Sequence, residues 1–289
     1  MTAVMRCFFI ALLLFTCTFG KSFCQGRVIY ADSAGEKYLK LHIPQRVAAS
    51  KNGDADWKTP YPAIILPVDT TSANKIDNSI ISTALSYGYA VAELEYGQSL
   101  EQAMKELVSS IKLLKENGKR YGIDPGKIIL WGYSDGGYLA ATAGCAGTYL
   151  QGFESEMEFG SSSQMAQAQK SEQKLQKYVN SIGIYSSGNG YKVQAVVDLF
   201  GPFTTQENGI NPQILVTPQS PPFFMIYKQS ETGHDSDSAD AFSSQLKSAI
   251  GSQFVEYILL PQTLDEKIIF ENPQFFRQIF VFLDKILFH

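Results

Sequence analysis

The chain has 289 residues, of which 45% are hydrophobic, enough apolar material for a full globular core. Its formal net charge of −4 comes without any basic block, which argues against nucleic acid as a partner. No Cys/His spacing suits a metal ion, so neither a metal nor another cofactor is expected.

Residues 1–6 carry one positive charge, residues 7–19 are almost wholly apolar, and polar sequence begins at Lys21. That run is short for a bilayer span and fits the n- and h-regions of a secretory signal. Residues 1–24 are therefore expected to be a signal peptide, and the protein to be secreted or periplasmic with no membrane span after cleavage. The triplets preceding Cys17 and Cys24 do not favour lipid anchoring at either. Three of the four cysteines lie in or beside this leader, which leaves Cys145 alone in the mature chain and no internal disulfide framework.

Beyond the leader, 28–30 and 38–43 read as two strands joined by the turn-like Asp32-Ser33-Ala34-Gly35, an N-terminal hairpin with His42 as an ordinary strand histidine. Residues 47–57 read as a polar loop. A short strand at 63–66 is followed by a helix near 75–85 and a strand at 90–96. Leu100, Met104, Leu107, Val108, Ile111 and Leu114 then recur at helical spacing, and Asn117-Gly118 closes that helix. Ile123-Asp124-Pro125-Gly126 reads as a turn into the strand 128–131.

This strand stops at Gly132-Tyr133-Ser134-Asp135-Gly136, and a small-residue helical pattern follows. Strand, tight turn and helix form the context that a G-x-S-x-G nucleophile turn requires, because a serine there points its hydroxyl out of the fold. Next comes a polar stretch, 149–191, with a helix expected at 165–179 and a loop at 186–190; loops this long are functional lids or mobile segments. Strands at 193–200, 223–227 and 254–260, and helices at 240–250 and 273–288, complete the chain. Strands alternating with helices predict a mostly parallel sheet covered on both faces, carrying the antiparallel hairpin, as a single domain over 27–289 with the polar insertion.

With these motifs in view, the chain resembles the α/β-hydrolase superfamily from about Tyr38 onward. It is most similar to the secreted bacterial esterase branch called feruloyl-esterase-like or hormone-sensitive-lipase-like. Tyr121-Gly122-Ile123-Asp124-Pro125, leading into Trp131-Gly132-Tyr133-Ser134-Asp135-Gly136-Gly137, carries the likeness. Val193-Gln194-Ala195-Val196-Val197-Asp198-Leu199-Phe200-Gly201-Pro202 adds to it as a typical sixth strand.

The resemblance implies carboxylic ester hydrolysis through an acyl-serine, with the triad in the chain order Ser, Asp or Glu, His. It places the nucleophile at Ser134 and one oxyanion N–H at Asp135. The second oxyanion donor falls at Asp69, where Val68-Asp69-Thr70 stands in place of a His-Gly-Gly motif. The acid falls at Glu231, with Asp235 and Asp237 as neighbours. The histidine should follow the last strand, but Pro261-Gln262-Thr263-Leu264-Asp265-Glu266 contains none. The expectation is an ester-hydrolase fold with an incomplete triad, weakly active or inactive, whose partner is a small-molecule ester or carbohydrate-linked ligand. The alternative is an active esterase using Ser134 and Glu231 with a relocated base at His234.

Overall fold

The computed structural model describes residues 24–32, 35–44, 60–70, 76–97, 99–152, 162–184, 190–203, 210–229 and 234–289. Residues 1–23 of the predicted leader, the polar loop at 47–57 and the acid candidate Glu231 lie outside these residues, as do 153–161 and 185–189 of the insertion.

Eight strands form one sheet in the order β1-β2-β4-β3-β5-β6-β7-β8. β1 (Cys24–Asp32) and β2 (Gly35–Ile43) make the expected antiparallel hairpin, and β2 is also antiparallel to β4 (Ala90–Tyr96). From β4 onward neighbours are parallel: β3 (Tyr61–Asp69), β5 (Ile123–Tyr133), β6 (Ala195–Leu199), β7 (Phe223–Lys228) and β8 (Val255–Leu260). The central stretches 63–66, 128–131, 195–197 and 223–226 read as continuous apolar runs because both faces are covered.

The helices divide between the faces. On one, α2 (Leu100–Asn117), α3 (Asp135–Gly152) and α5 (His234–Ile250) bury Leu107, Leu139 and Phe242 against Leu130, Val196 and Met225. On the other, α1 (Ile76–Ser86), the short α6 (Ile268–Glu271) and α7 (Pro273–Phe288) bury Ile80, Ile269 and Phe280 against Trp131, Val197 and Ile226. In the polar insertion, α4 (Ser162–Ser181) ends with Val179 buried in the first cluster, and Ile182 and Ile184 follow it there.

Several elements run longer or shorter than the sequence reading by a few residues, and two of the differences have a clear local reason. The turn expected at 123–126 is absorbed into β5 as a register shift: Tyr61 faces Ile123 while Ala63 already faces Ile128, and the Gly126 N–H closes onto Asp124 Oδ1 at 2.8 Å. α5 begins at His234 rather than Asp240. Asp235 and Asp237 then fall in its first turn, where the helix dipole favours negative charge.

Parallel strands put their carboxyl ends on one edge of the sheet. Asp69, Ser134, Gly201, Lys228 and residues 261–267 therefore share the edge at which open α/β sheets bind ligands.

Candidate functional site

The site is built on the β5–α3 corner. Ser134 occupies the single residue between strand and helix with φ 53°, a left-handed conformation costing about 1–2 kcal/mol for a residue with a Cβ. Three hydrogen bonds hold it there. Its N–H donates to the Leu199 carbonyl at 2.8 Å, and its own carbonyl accepts the Gly137 and Tyr138 N–H groups at 2.8 and 3.1 Å. The Ser134 side chain is exposed.

Glycine at this corner answers to space. A Cβ on Gly132 would overlap the Gly136 carbonyl, and one on Gly137 would run into Asp198 Oδ1 and the Gly201 Cα. Further along α3, a Cβ on Gly144 would stand 2.5 Å from Val196 Cγ2 and one on Gly147 2.6 Å from the Tyr191 carbonyl oxygen. The helix thus lies closely on the sheet with its dipole aimed at the corner.

The two residues predicted as oxyanion donors are brought together. Asp69 closes β3, and Asp135 opens α3 next to Ser134. Burial raises the Asp135 carboxyl above its ordinary range, and the nearby Asp69 carboxylate pushes it the same way. At the end of β3 the Thr70 N–H and hydroxyl both donate to the Tyr96 carbonyl at 2.9 Å. Strand alternation sends the Asp69 N–H the other way, toward the side on which the Pro67 carbonyl approaches Gly136. Two carboxylates side by side at this corner oppose a developing negative charge.

After β8, the segment in which the resemblance puts a histidine makes a different connection. Tyr133, the residue before Ser134, donates its hydroxyl to Glu266 Oε2 at 2.9 Å. Burial, then the Glu266 hydrogen bond, push that phenol up to about 12. Its ring stands edge-on to Phe270 and Phe200, with centroids 5.4 and 6.0 Å away. Tyr133, Lys228 and residues 263–267 line an open, polar cavity of about 400 Å³ beside the corner.

The histidines are dispersed. His42 is buried on β2, its Nε2 2.7 Å from Glu93 Oε2, which also pairs with Lys40 at 3.0 Å. Three inter-strand spacings, roughly 14 Å, separate β2 from β5. His289 ends the chain beyond α7, and His234 starts α5 in the connection that follows β7. Among the described residues no group of three or more His, Cys, Asp or Glu is placed to hold a metal ion, and no helix is long and apolar enough to cross a membrane.

Three features here escaped the sequence reading. The Tyr133–Glu266 bond spans 133 positions and has no local signature. Phe200 has φ 59°, a conformation rare for a bulky side chain. Asp198 is a buried carboxyl, and its signal was available: one acid inside the run Ala-Val-Val-Asp-Leu must find partners within the fold.

The family model described as BD-FAE matches residues 67–246. No curated protein matches the chain. Among solved structures, a protein assigned as a carboxylesterase from Lactobacillus plantarum WCFS1 superposes with a TM-score of 0.62 at 14% identity, covering 91% of this chain and 98% of that one. A truncated carbohydrate esterase from gut microbiota gives 0.56 at 18%, covering 87% and 91%. The carboxylesterase Cest-2923 from the same Lactobacillus gives 0.58 at 15%, covering 82% of each. At these identities the likeness is one of fold.

Proposed function

Because the chain belongs to the BD-FAE family, within the carboxylesterase-like α/β-hydrolases, we propose that it keeps the seat of a serine nucleophile without a general base. In this reading it binds a small ester or carbohydrate-linked ligand and turns it over weakly or not at all. One observation carries it. The segment after β8, where the family resemblance calls for an imidazole, presents Glu266 to Tyr133 instead.

The chemistry follows from that exchange. A serine hydroxyl is a poor nucleophile until a neighbour takes its proton, and general base catalysis contributes about 10²–10⁴ in rate. Triad members act as a unit, so the serine alone retains little once the base is gone. The Asp69–Asp135 pair adds a second obstacle by placing negative charge beside the position an oxyanion would occupy. Two things support ligand binding: the polar cavity lined by Tyr133, the residue before Ser134, and the esters and carbohydrates on which the fold neighbours act by name.

A fluorophosphonate probe applied to the purified full chain tests the proposal, with turnover of short-chain p-nitrophenyl esters as companion. Labelling of Ser134 is expected to be weak or absent. Robust labelling that is lost in both Ser134→Ala and His234→Ala overturns this reading and makes Ser134, Glu231 and His234 a working triad.

A further inference from the structure

Asp198 sits inside β6 and is 1% exposed. Its Oδ1 accepts the Gly201 N–H at 3.0 Å. Its Oδ2 lies 2.6 Å from the Tyr227 hydroxyl, and the same hydroxyl lies 3.0 Å from the Gly201 carbonyl oxygen. A phenol has one proton to give. Were Asp198 ionised, that proton would go to the carboxylate, and the buried Gly201 carbonyl would lose the donor that faces it among the described residues. Leaving a buried acceptor unpaired is costly.

One added proton removes the conflict. Asp198 Oδ2–H then donates to the Tyr227 oxygen, and Tyr227 donates to the Gly201 carbonyl. Oδ1 still accepts from the Gly201 N–H. The surroundings favour the neutral form. Gly132 of β5 lies alongside, and α3 contributes the Gly137 and Tyr138 backbone and the Cys145 thiol, which burial pushes up to about 12. β7 contributes Tyr227, behind which stand Phe203 and Tyr257 of β8, the latter interacting with Asp240 of α5 and with Lys247. Among the described residues no cation pairs with Asp198. Burial pushes its carboxyl up to about 6, against the opposing hydrogen bonds from Tyr227 and Gly201.

We propose that Asp198 takes up a proton in mild acid and that this proton, relayed through Tyr227 to the Gly201 carbonyl, positions the β6 corner that carries the Ser134 turn. The mechanical link is short. Leu199 receives the Ser134 N–H, Phe200 takes its strained φ in the next position, and a Cβ on Gly137 would stand 3.0 Å from the Gly201 Cα. Losing the proton to solvent breaks the relay at its last bond and loosens the corner. Asp198 is thus a positioning residue, and the inference stands whether or not Ser134 reacts.

A pH series on the full chain with ¹³Cγ-labelled aspartate tests it. One carboxyl resonance is expected to titrate near pH 6, well above the ordinary value of 3.8, and to be missing in Asp198→Asn. The asparagine Nδ2–H donates to Tyr227 as the acid O–H does, so this variant is expected to fold. The native pKa is raised, so the proton's stabilisation is complete below about pH 4 and lost as pH rises through about 6. The wild-type Tm should accordingly fall relative to Asp198→Asn across that window. If every aspartate titrates in the ordinary acid range, or the Tm difference is flat with pH, the proposal is wrong. Should Asp198→Asn not fold, the wild-type titration decides alone.

Discussion

The β5–α3 corner and the segment after β8 sit on the same sheet edge but are held by different means. At the corner the contacts are between backbone groups: Ser134 N–H to Leu199, Gly137 and Tyr138 N–H to Ser134, and a Gly132 with no room for a Cβ. After β8 the contacts back to the corner run through side chains: the Tyr133–Glu266 hydrogen bond at the wall of an open cavity, and the Tyr133 ring against Phe270. Geometry that depends on the backbone tolerates almost no substitution. A base depends on one side chain in a loop, and exchanging that side chain leaves the fold intact. A sterically fixed corner is therefore compatible with free exchange of side chains in the segment beside it.

Mutations can break this comparison, beginning with the largest effect. Gly132→Ala puts a Cβ onto the Gly136 carbonyl, which is backbone and cannot swing away. A loss of about 3 kcal/mol or more in urea unfolding, or failure to fold, is expected. A variant that unfolds like wild type would show that the corner is not sterically fixed. Next is Glu93→Gln, which tests where His42 is committed. Burial would raise the Glu93 carboxyl, but hydrogen bonds from His42 and Lys40 outweigh it and hold it below the ordinary 4.5. With a depressed native pKa, the stabilisation is present above about pH 4.5 and lost as pH falls through the native value. Glu93→Gln should cost about 2 kcal/mol at neutral pH, narrowing in acid, without changing Ser134 labelling. A change in labelling would mean that the His42 cluster communicates with the corner after all.

How far the sequence could be read follows the same division. The order of strands and helices was legible from hydrophobic periodicity, and the Ser134 corner from the Gly132–Gly136 spacing, because both are local consequences of backbone and burial. Asp69 and Asp135 were legible as neighbours through the motif, but their mutual repulsion is a through-space effect that only the fold displays. The start of α5 at His234 was missed because the apolar pattern sets in later than the acidic first turn. The Tyr133–Glu266 and Asp198–Tyr227 bonds join residues far apart in the chain, and only the sheet order brings them within reach.

A smaller effect with the opposite sign comes from the turn itself. Ser134→Gly removes the Cβ from a left-handed residue and should stabilise the protein by about 1 kcal/mol, read from the urea midpoint. Strain retained at this position is the mark of a geometry selected for something other than stability. If the glycine variant is no more stable than wild type, the turn is relaxed and that argument fails.

The smallest expected effect concerns the loop side of the comparison. Tyr133→Phe keeps the ring against Phe200 and Phe270 and deletes only the hydroxyl that reaches Glu266. Because the Tyr133 phenol is pushed up to about 12, it remains a donor throughout the neutral range, so the loss should be nearly constant there. About 1 kcal/mol is the expected size, since Glu266 is half-buried and regains water when released. Hydrogen exchange should quicken in residues 261–267 while Ser134 and the first turn of α3 stay protected. That pattern follows if the segment after β8 leans on this bond and the corner does not. Faster exchange in both places would instead make the two regions one cooperative unit, and the separation between a fixed nucleophile seat and a replaceable base would no longer hold.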